Sequence, residues 1–343
     1  MSTVEERPAA LSQIVTGYNK RLMIFGGRGS MELTAKIAEK LDLDVGLAKL
    51  KTFANGEVYC RYEESIRGAD VFIVQSTAGN VQHGMTPNDA LIELLLMIDA
   101  AKGASAHRII AVTPWYGYAR QDKKSAPREP ITARVIARCL EAMGVDRVLT
   151  MDLHAGQVQG FFQVPVDHMT ALPMISQYFM DQPFTDDIVI VSPDAGRVKL
   201  ARNFARKLGV HWAVMEKERP AQQLAEIGYV VGEVKGRTAV IIDDMIDTAG
   251  TLCAAAATLH EEGASRVIAA ATHGVFSGPA YERLPREKSG IDEVVVTDTI
   301  PLRPGAPDNI RVLSTAQTLA DSIRRIFTDD SVSEIFAGEN QLF

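Results

Sequence analysis

The sequence predicts an α/β protein built from two similar domains in tandem, each a parallel sheet flanked by helices. Three observations carry this prediction. First, "MIFGGRGSMELTAKIAEKLD" (Met23 to Asp42) resembles "IVSPDAGRVKLARNFARKLG" (Ile190 to Gly209). At one constant offset Gly29 meets Gly196, Leu33 meets Leu200, Ala38 meets Ala205 and Leu41 meets Leu208. Second, "IRGADVFIVQST" (Ile66 to Thr77) resembles "VKGRTAVIIDDM" (Val234 to Met245). Third, "KGASAHRIIAVTP" (Lys102 to Pro114) resembles "EGASRVIAAATHG" (Glu262 to Gly274). Similar blocks in the same order mark an internal duplication.

Each first block reads as a short strand, a turn containing glycine, and an amphipathic helix with apolar residues three and four apart. The third blocks read as a helix end, a glycine C-cap and a new strand. Alternating β and α elements imply a parallel sheet covered by helices on both faces. The expected organisation is a loose extension over residues 1–19, a first domain over 20–167 and a second over 168–325. The boundary falls near "VPVDHMTALP" (Val164 to Pro173). Residues 326–343 are expected to pack back on the first domain.

Composition narrows the function. With 46% hydrophobic and 23% charged residues, the chain reads as a soluble globular protein. A formal net charge of −7 gives no electrostatic footprint for nucleic acid or anionic membrane. Cys60, Cys139 and Cys253 form no CxxC or CxxH pattern, which suits a reducing cytosol better than disulfides or zinc. No secretory signal is read in the first twenty residues. The most apolar helical stretch, "DALIELLLMIDAA", carries Glu93 and Asp99 and is too short to span a bilayer. The chain has no GK dipeptide, hence no Walker A loop, and "GGRGSM" lacks the third glycine of a dinucleotide fingerprint.

The chemistry concentrates in "AVIIDDMIDTAGT" (Ala239 to Thr251). A buried strand should end at Asp243 and Asp244, and ligands of open parallel sheets sit beyond the carboxyl ends of strands. "DTAGT" then leads into a Leu- and Ala-rich helix, whose first N–H groups and threonine hydroxyls offer an anion site. Carboxylates accept hydrogen bonds from vicinal hydroxyls. Together the two parts suit a sugar phosphate, with the diol on the acids and the phosphate on Asp247, Thr248, Ala249, Gly250 and Thr251. The competing reading makes Asp247 a helix cap and the acid pair solvated loop residues. The first repeat has Gln75 and Ser76 where the second has the acids, so the fold itself does not demand them.

"VIIDDMIDTAGT" resembles the phosphoribosyl-pyrophosphate loop of type I phosphoribosyltransferases. From about Arg21 to the C-terminus the chain resembles the ribose-phosphate pyrophosphokinases, also called phosphoribosyl pyrophosphate synthetases. The fold this implies is two tandem type I phosphoribosyltransferase-like domains. The resemblance implies transfer of the pyrophosphoryl group of ATP to the 1-hydroxyl of ribose 5-phosphate, in the cytoplasm, for nucleotide biosynthesis.

Residue by residue, "KTFANGEVYC" matches a segment that clamps adenine and ribose through Phe53, Asn55 and Glu57, although "ANGE" alone reads equally as a turn. "YARQDKK" matches a second ATP segment, with Arg120, Gln121 and Asp122 on the nucleotide and Lys123 near its phosphates. Without the family it reads as well as a solvated charged loop. The resemblance sets His154 in "TMDLHAG" and Asp194 in "VSPDAGR" near Mg²⁺, although a lone histidine after a strand is more often structural and magnesium prefers oxygen. "MEKERP" matches the basic pair of a mobile catalytic loop, giving Lys217 and Arg219. Inorganic phosphate and ADP are implied as regulators, with Ser65, Arg67, Ser331 and Ser333 at the phosphate site. Helix capping is the alternative for the serines. A homohexamer is implied, with the ATP segments contributed by neighbouring subunits. One departure stands out: many relatives carry a second glycine where this chain has Arg197.

Two other readings share part of this pattern. A phosphoribosyltransferase uses the same loop but needs one such domain and no ATP segments. A non-catalytic associated subunit would bind the same ligands, but "EKER" and "DDMIDTAGT" are intact here.

Overall fold

The protein is described by a computed structural model covering residues 20–182, 187–221 and 224–336, without the side chains of residues 217–228. The expected extension over residues 1–19 lies outside these. Its first half begins with β1 (Leu22–Gly26), helix Met31–Lys40, and an antiparallel hairpin of β2 (Ala48–Thr52) and β3 (Val58–Tyr62). There follow β4 (Asp70–Val74), helix Pro87–Gly103, β5 (Arg108–Thr113), helix Thr132–Met143, β6 (Arg147–Met151) and β7 (Val166–Met169). The first sheet has the order β1-β4-β5-β6-β7 and is parallel throughout. Every residue of β4 is buried. That is the signature of a parallel strand covered on both faces, where a continuous apolar run replaces alternation.

The second half repeats the plan. Helix Leu172–Met180 leads to β8 (Ile188–Ser192), helix Val198–Leu208 and a hairpin of β9 (His211–Ala221) and β10 (Leu224–Val231). Then come β11 (Thr238–Ile246), helix Gly250–Glu261, β12 (Arg266–Gly274), β13 (Glu293–Thr297), β14 (Ile310–Leu313) and helix Ala316–Thr328. The sheet order is β10-β9-β8-β11-β12-β13-β14, parallel except at the β9–β10 edge. The strands of the three repeated blocks are β1 and β8, β4 and β11, and β5 and β12. The hairpins also correspond, but the first stands off its sheet and the second extends it. The 167/168 boundary expected from sequence falls inside β7, where Met169 still pairs with Met151.

The two glycine C-caps differ from expectation in one case. Gly263 takes the left-handed turn after helix Gly250–Glu261, at φ 88°. Gly103 is instead the last helical residue, and the left-handed position passes to Ser105. A glycine just inside a helix end is tolerated when the next turn reverses the chain.

One apolar cluster spans both halves. It joins Ile24, Ile37 and Phe72 of the first to Ile190, Phe204 and Ile323 of the second, and takes in Val332 and Phe336 near the C-terminus. Helix Ala316–Thr328 lies on helix Met31–Lys40. Just beyond it, Asp329 is paired with Lys20 and Arg108 of the first half. Burial of this kind stabilises by roughly 25 cal/mol per Å² of apolar surface, so the halves form one packed unit.

Candidate active site

Strand β11 is longer than "AVII" suggested, and the reason the acids still emerge is a mismatch of neighbours. Its pairing with β8 ends at Ile241–Val191, whereas its pairing with β12 continues to Ile246–Gly274. Asp243 and Asp244 therefore lie within the strand yet beyond β8. The Asp243 side chain is 33% exposed and that of Asp244 8%. Both face a cavity of about 260 Å³ that also takes in Asp247 to Thr251.

The loop after β11 is built to present backbone donors. Ala249 is the N-cap of helix Gly250–Glu261, sits in the left-handed region at φ 61°, and makes no side-chain cap bond. The first N–H groups of that helix therefore lack an intrahelical or side-chain cap partner. Asp247 is not the cap. Its Oδ2 takes the Arg120 guanidinium at 2.5 Å, and its Oδ1 is buried without a hydrogen-bond partner. Arg283 Nη1 donates to the Thr248 carbonyl at 3.0 Å and steadies the bend. A helix start without a cap is a ready site for phosphate.

Arg197 closes the acid side of the cavity. Its Nε is 3.0 Å from Asp243 Oδ1, and its Nη2 is 2.8 Å from Asp244 Oδ1 and 2.9 Å from His154 Nδ1. His154 Nδ1 is in turn 2.7 Å from Asp244 Oδ2. The two carboxyls titrate in opposite directions. Burial, reinforced by the hydrogen bond and charge of Asp244, pushes Asp243 far above the usual carboxylate range. Burial pushes Asp244 up too, but the His154 hydrogen bond and the Arg197 charge outweigh it and hold that carboxyl low.

The remaining expected residues divide between the cavity and elsewhere. Arg120, His154 and Asp194 line it. Asp194 Oδ1 also accepts from Gly196 N at 3.0 Å at the start of a short 3₁₀ turn. Gln121 and Asp122 are tied to their own surroundings: Gln121 accepts from Thr132 Oγ1 at 2.6 Å, and buried Asp122 accepts from Gln157. Phe53, Asn55 and Glu57 form the turn of the β2–β3 hairpin, closed by Phe53 N to Glu57 O at 2.8 Å. They are not among the described residues that line the cavity. The Phe53 ring is 43% exposed, with the Lys51 ammonium 4.5 Å from its centroid. Lys217 and Arg219 lie on β9, and their side chains fall outside the described ones. Ser65 is anchored through its carbonyl by Arg21 at 2.7 Å, and Arg67 is exposed nearby in sequence. Ser331 and Ser333 share a hydroxyl contact of 2.9 Å beside the last 3₁₀ turn.

At the matching place in the first half a smaller cavity of about 40 Å³ lies beside Gly29, with Asp298 and Pro301 of the second half on its wall, and the counterparts of the acids are tied up in other contacts. Gln75, in the position of Asp243, accepts from Gly29 N at 3.0 Å and donates to Glu93. Ser76, in the position of Asp244, is fully buried and donates to the Thr299 carbonyl. Neighbouring His273 is fully buried, edge-on to Trp115, with Nδ1 2.9 Å from Thr299 Oγ1 and Nε2 3.1 Å from the Met151 carbonyl. Asp152 Oδ2 accepts from Thr272 Oγ1 at 2.6 Å and from Ala171 N at 2.8 Å. These bonds fix the loop bearing His154 against the second sheet. Sequence reading passed over Asp152, Thr272 and His273; the polar pair "TH" closing the apolar run of β12 was the available signal.

The site's donors suit a hard divalent cation of an open kind. Asp194, Asp243 and Asp244 supply oxygens and His154 one nitrogen around the cavity. Among the described residues no three His, Cys, Asp or Glu side chains are arranged to hold a metal alone. Magnesium is usually held by one or two carboxylates plus substrate phosphates. No helix of the described residues is long and apolar enough to cross a membrane.

The chain is similar to known proteins along most of its length. Residues 22–144 match the family model for the N-terminal domain of ribose phosphate pyrophosphokinase, and residues 212–337 match the phosphoribosyl synthetase-associated domain. The chain is 49% identical over 315 residues to the ribose-phosphate pyrophosphokinase of Fusobacterium nucleatum, covering 91% of this chain and 97% of that one. It is 49% identical over 320 residues to that of Caldanaerobacter subterraneus, covering 93% and 99%. The crystal structure of phosphoribosylpyrophosphate synthetase from Mycobacterium smegmatis superposes with a TM-score of 0.83 at 45% identity, over 90% of this chain and 100% of that one.

Proposed function

The chain belongs to the ribose-phosphate pyrophosphokinase family, and from that premise we propose that it makes 5-phosphoribosyl 1-pyrophosphate from ribose 5-phosphate with ATP as donor, releasing AMP. The observation that carries the reading is the juxtaposition of a carboxylate pair with an uncapped helix start in only one of two repeated sheets. The ribose diol donates to Asp243 and Asp244, and the 5-phosphate sits on the N–H groups and hydroxyls of Thr248 to Thr251, with Asp247 at its edge. Asp247 Oδ1, buried and without a partner, is an acceptor that a sugar hydroxyl or an ordered water satisfies.

In this reading the anomeric oxygen attacks the β-phosphorus, its proton departs, and the bond from that phosphorus to the AMP oxygen breaks in line. Such transfers depend on alignment and on neutralising oxygen charge. Arg120, poised at the cavity mouth, holds nucleotide phosphate, with Gln121, Asp122 and Lys123 in the same segment. Lys217 and Arg219 steady the transferring group from the β9–β10 hairpin. His154 and Asp194 would hold Mg²⁺, which when bound neutralises phosphate oxygens. Phe53, Asn55 and Glu57 do not line their own chain's cavity, so we assign them to the ATP site of a neighbouring copy in a homo-oligomer, a hexamer by family resemblance. Ser65, Arg67, Ser331 and Ser333 are proposed for inorganic phosphate or ADP as regulators, and the cytoplasm as the compartment.

The test is an assay for AMP from ATP and ribose 5-phosphate, with and without inorganic phosphate. AMP formation dependent on both substrates supports the reading. Base-dependent release of pyrophosphate instead would indicate a phosphoribosyltransferase, and ligand binding without turnover an associated subunit. Lys217→Ala should abolish turnover while nucleotide binding persists; retained activity would remove the hairpin from the mechanism.

A further inference from the structure

Arg197 stands where the sugar and the cation of the proposed reaction must arrive. Three atoms converge on its one guanidinium: Asp243 Oδ1 at 3.0 Å, Asp244 Oδ1 at 2.8 Å and His154 Nδ1 at 2.9 Å. These are the groups that a hard divalent cation and a vicinal diol would use. The arginine side chain is only 22% exposed, so the charge is held inside the cavity rather than in solvent. It enters from the start of helix Val198–Leu208, directly after the turn that carries Asp194.

The hydrogen bonding there is not mutually compatible. His154 Nδ1 lies 2.7 Å from Asp244 Oδ2 and 2.9 Å from Arg197 Nη2. An imidazole nitrogen either donates to the carboxylate or accepts from the guanidinium, and arginine has donors only. One of the two contacts is therefore unsatisfied in any single protonation state. A group held in such a conflict is easily displaced by a ligand that resolves it.

We propose that Arg197 is the resident cation of this site: it occupies Asp243 and Asp244 while the site is free of ligand and is displaced when a divalent cation and the sugar diol bind, so that it sets their affinity. The proposal deepens the reading of this cavity as the ribose 5-phosphate site and rests on it for the identity of the sugar. Its consequence for the cation does not need the sugar. With Arg197 in place its guanidinium lies against Asp243, Asp244 and His154. Without it, two carboxylates and an imidazole face an open cavity.

The experiment is a titration of the full-length, ligand-free protein with Mn²⁺ alone, followed by the loss of the free-ion electron paramagnetic resonance signal. Wild type, Arg197→Met, Arg197→Ala and Arg197→Lys are compared, with thermal melts to verify folding. The Met variant keeps the bulk of the side chain, so it serves should the smaller Ala variant unfold. The Met and Ala variants should bind Mn²⁺ about tenfold more tightly than wild type or better, the order expected for removing one competing charge from a half-buried pair. The Lys variant should stay near wild type. Unchanged or weaker Mn²⁺ binding in folded Met or Ala variants would overturn the proposal. A parallel calorimetric titration with ribose 5-phosphate separates the two ideas. If no variant binds the sugar, the reading of the cavity fails, while the Mn²⁺ result still judges Arg197.

Discussion

Arg120 of the first half and Asp247 of the second meet across the cavity mouth, Nη1 to Oδ2 at 2.5 Å, within one chain. The arginine is 57% exposed, so the pair adds little to stability; exposed ion pairs contribute about 0–1 kcal/mol. The pair brings a cation from the segment proposed for the nucleotide to the loop proposed for the sugar phosphate. Arg120→Ala is expected to lower the rate of AMP formation by about a hundredfold or more, the usual loss when one donor to developing charge is removed. The melting temperature should move by no more than about 3 °C. A parallel melt and steady-state assay check both halves of the prediction.

The acid pair should separate into two kinds of variant. Asp243→Asn is expected to raise the KM for ribose 5-phosphate about two- to tenfold, the loss of one hydrogen-bond acceptor whose carboxyl is held largely uncharged. Asp244→Asn should do the same and also destabilise the fold by about 1–3 kcal/mol. Its carboxylate is the shared partner of Arg197 and His154, and both would be left half-satisfied. Chemical denaturation of the two variants distinguishes them.

An ion network centred on buried Asp70 ties the end of helix Ala316–Thr328 to the first sheet and gives a pH dependence. Asp70, 1% exposed, pairs with Arg108 and with His107 Nδ1 at 2.7 Å, and Arg108 reaches Asp329 at 2.9 Å. Burial pushes the Asp70 carboxyl up, but hydrogen bonds and charge from Arg108 and His107 outweigh it and leave it lowered. A carboxyl lowered in the folded state stabilises above its unfolded value of about 3.9, and the contribution fades as pH falls through the folded value. Asp70→Asn is expected to cost about 3 kcal/mol at neutral pH, as for breaking a buried pair. The stability gap between wild type and variant should persist at about pH 5 and close below about pH 4. Urea midpoints across that range measure it.

The left-handed Ala249 makes a local prediction. A residue with a Cβ costs about 1–2 kcal/mol in that conformation, and a β-branched one more. Ala249→Gly should leave stability equal or slightly higher and keep ribose 5-phosphate binding. Ala249→Val should destabilise the protein by about 2 kcal/mol and weaken the sugar phosphate, because the bend that opens the helix start is lost. Denaturation curves and calorimetry on the two variants test the strain and its use together.

Much of this was legible in the residues. The three repeated blocks gave the paired parallel sheets, because hydrophobic period and glycine turns encode elements locally. "DDMIDTAGT" gave the cavity, because acids at a strand end and small residues at a helix start act through their own backbone neighbours. Tertiary relationships were not legible. The competing reading of Asp247 as a helix cap falls only once Arg120 is seen opposite it and Ala249 is found to hold the cap position. Arg197 was visible as a departure from a glycine, but its contacts with Asp243, Asp244 and His154 depend on the packing of separate strands. Ser76 and Thr299, far apart in the chain, meet where the second half packs on the first sheet. No periodicity reports a contact of that range.

The central claim is that the carboxylates of β11 and the helix start behind them grip a pentose monophosphate. A crystal soaked with ribose 5-phosphate tests it most directly. The account predicts the two ring hydroxyls on Asp243 and Asp244, and the phosphate within hydrogen-bond distance of the backbone N–H groups of residues 248–251. Density for the sugar elsewhere, with that rim holding only water, would contradict it.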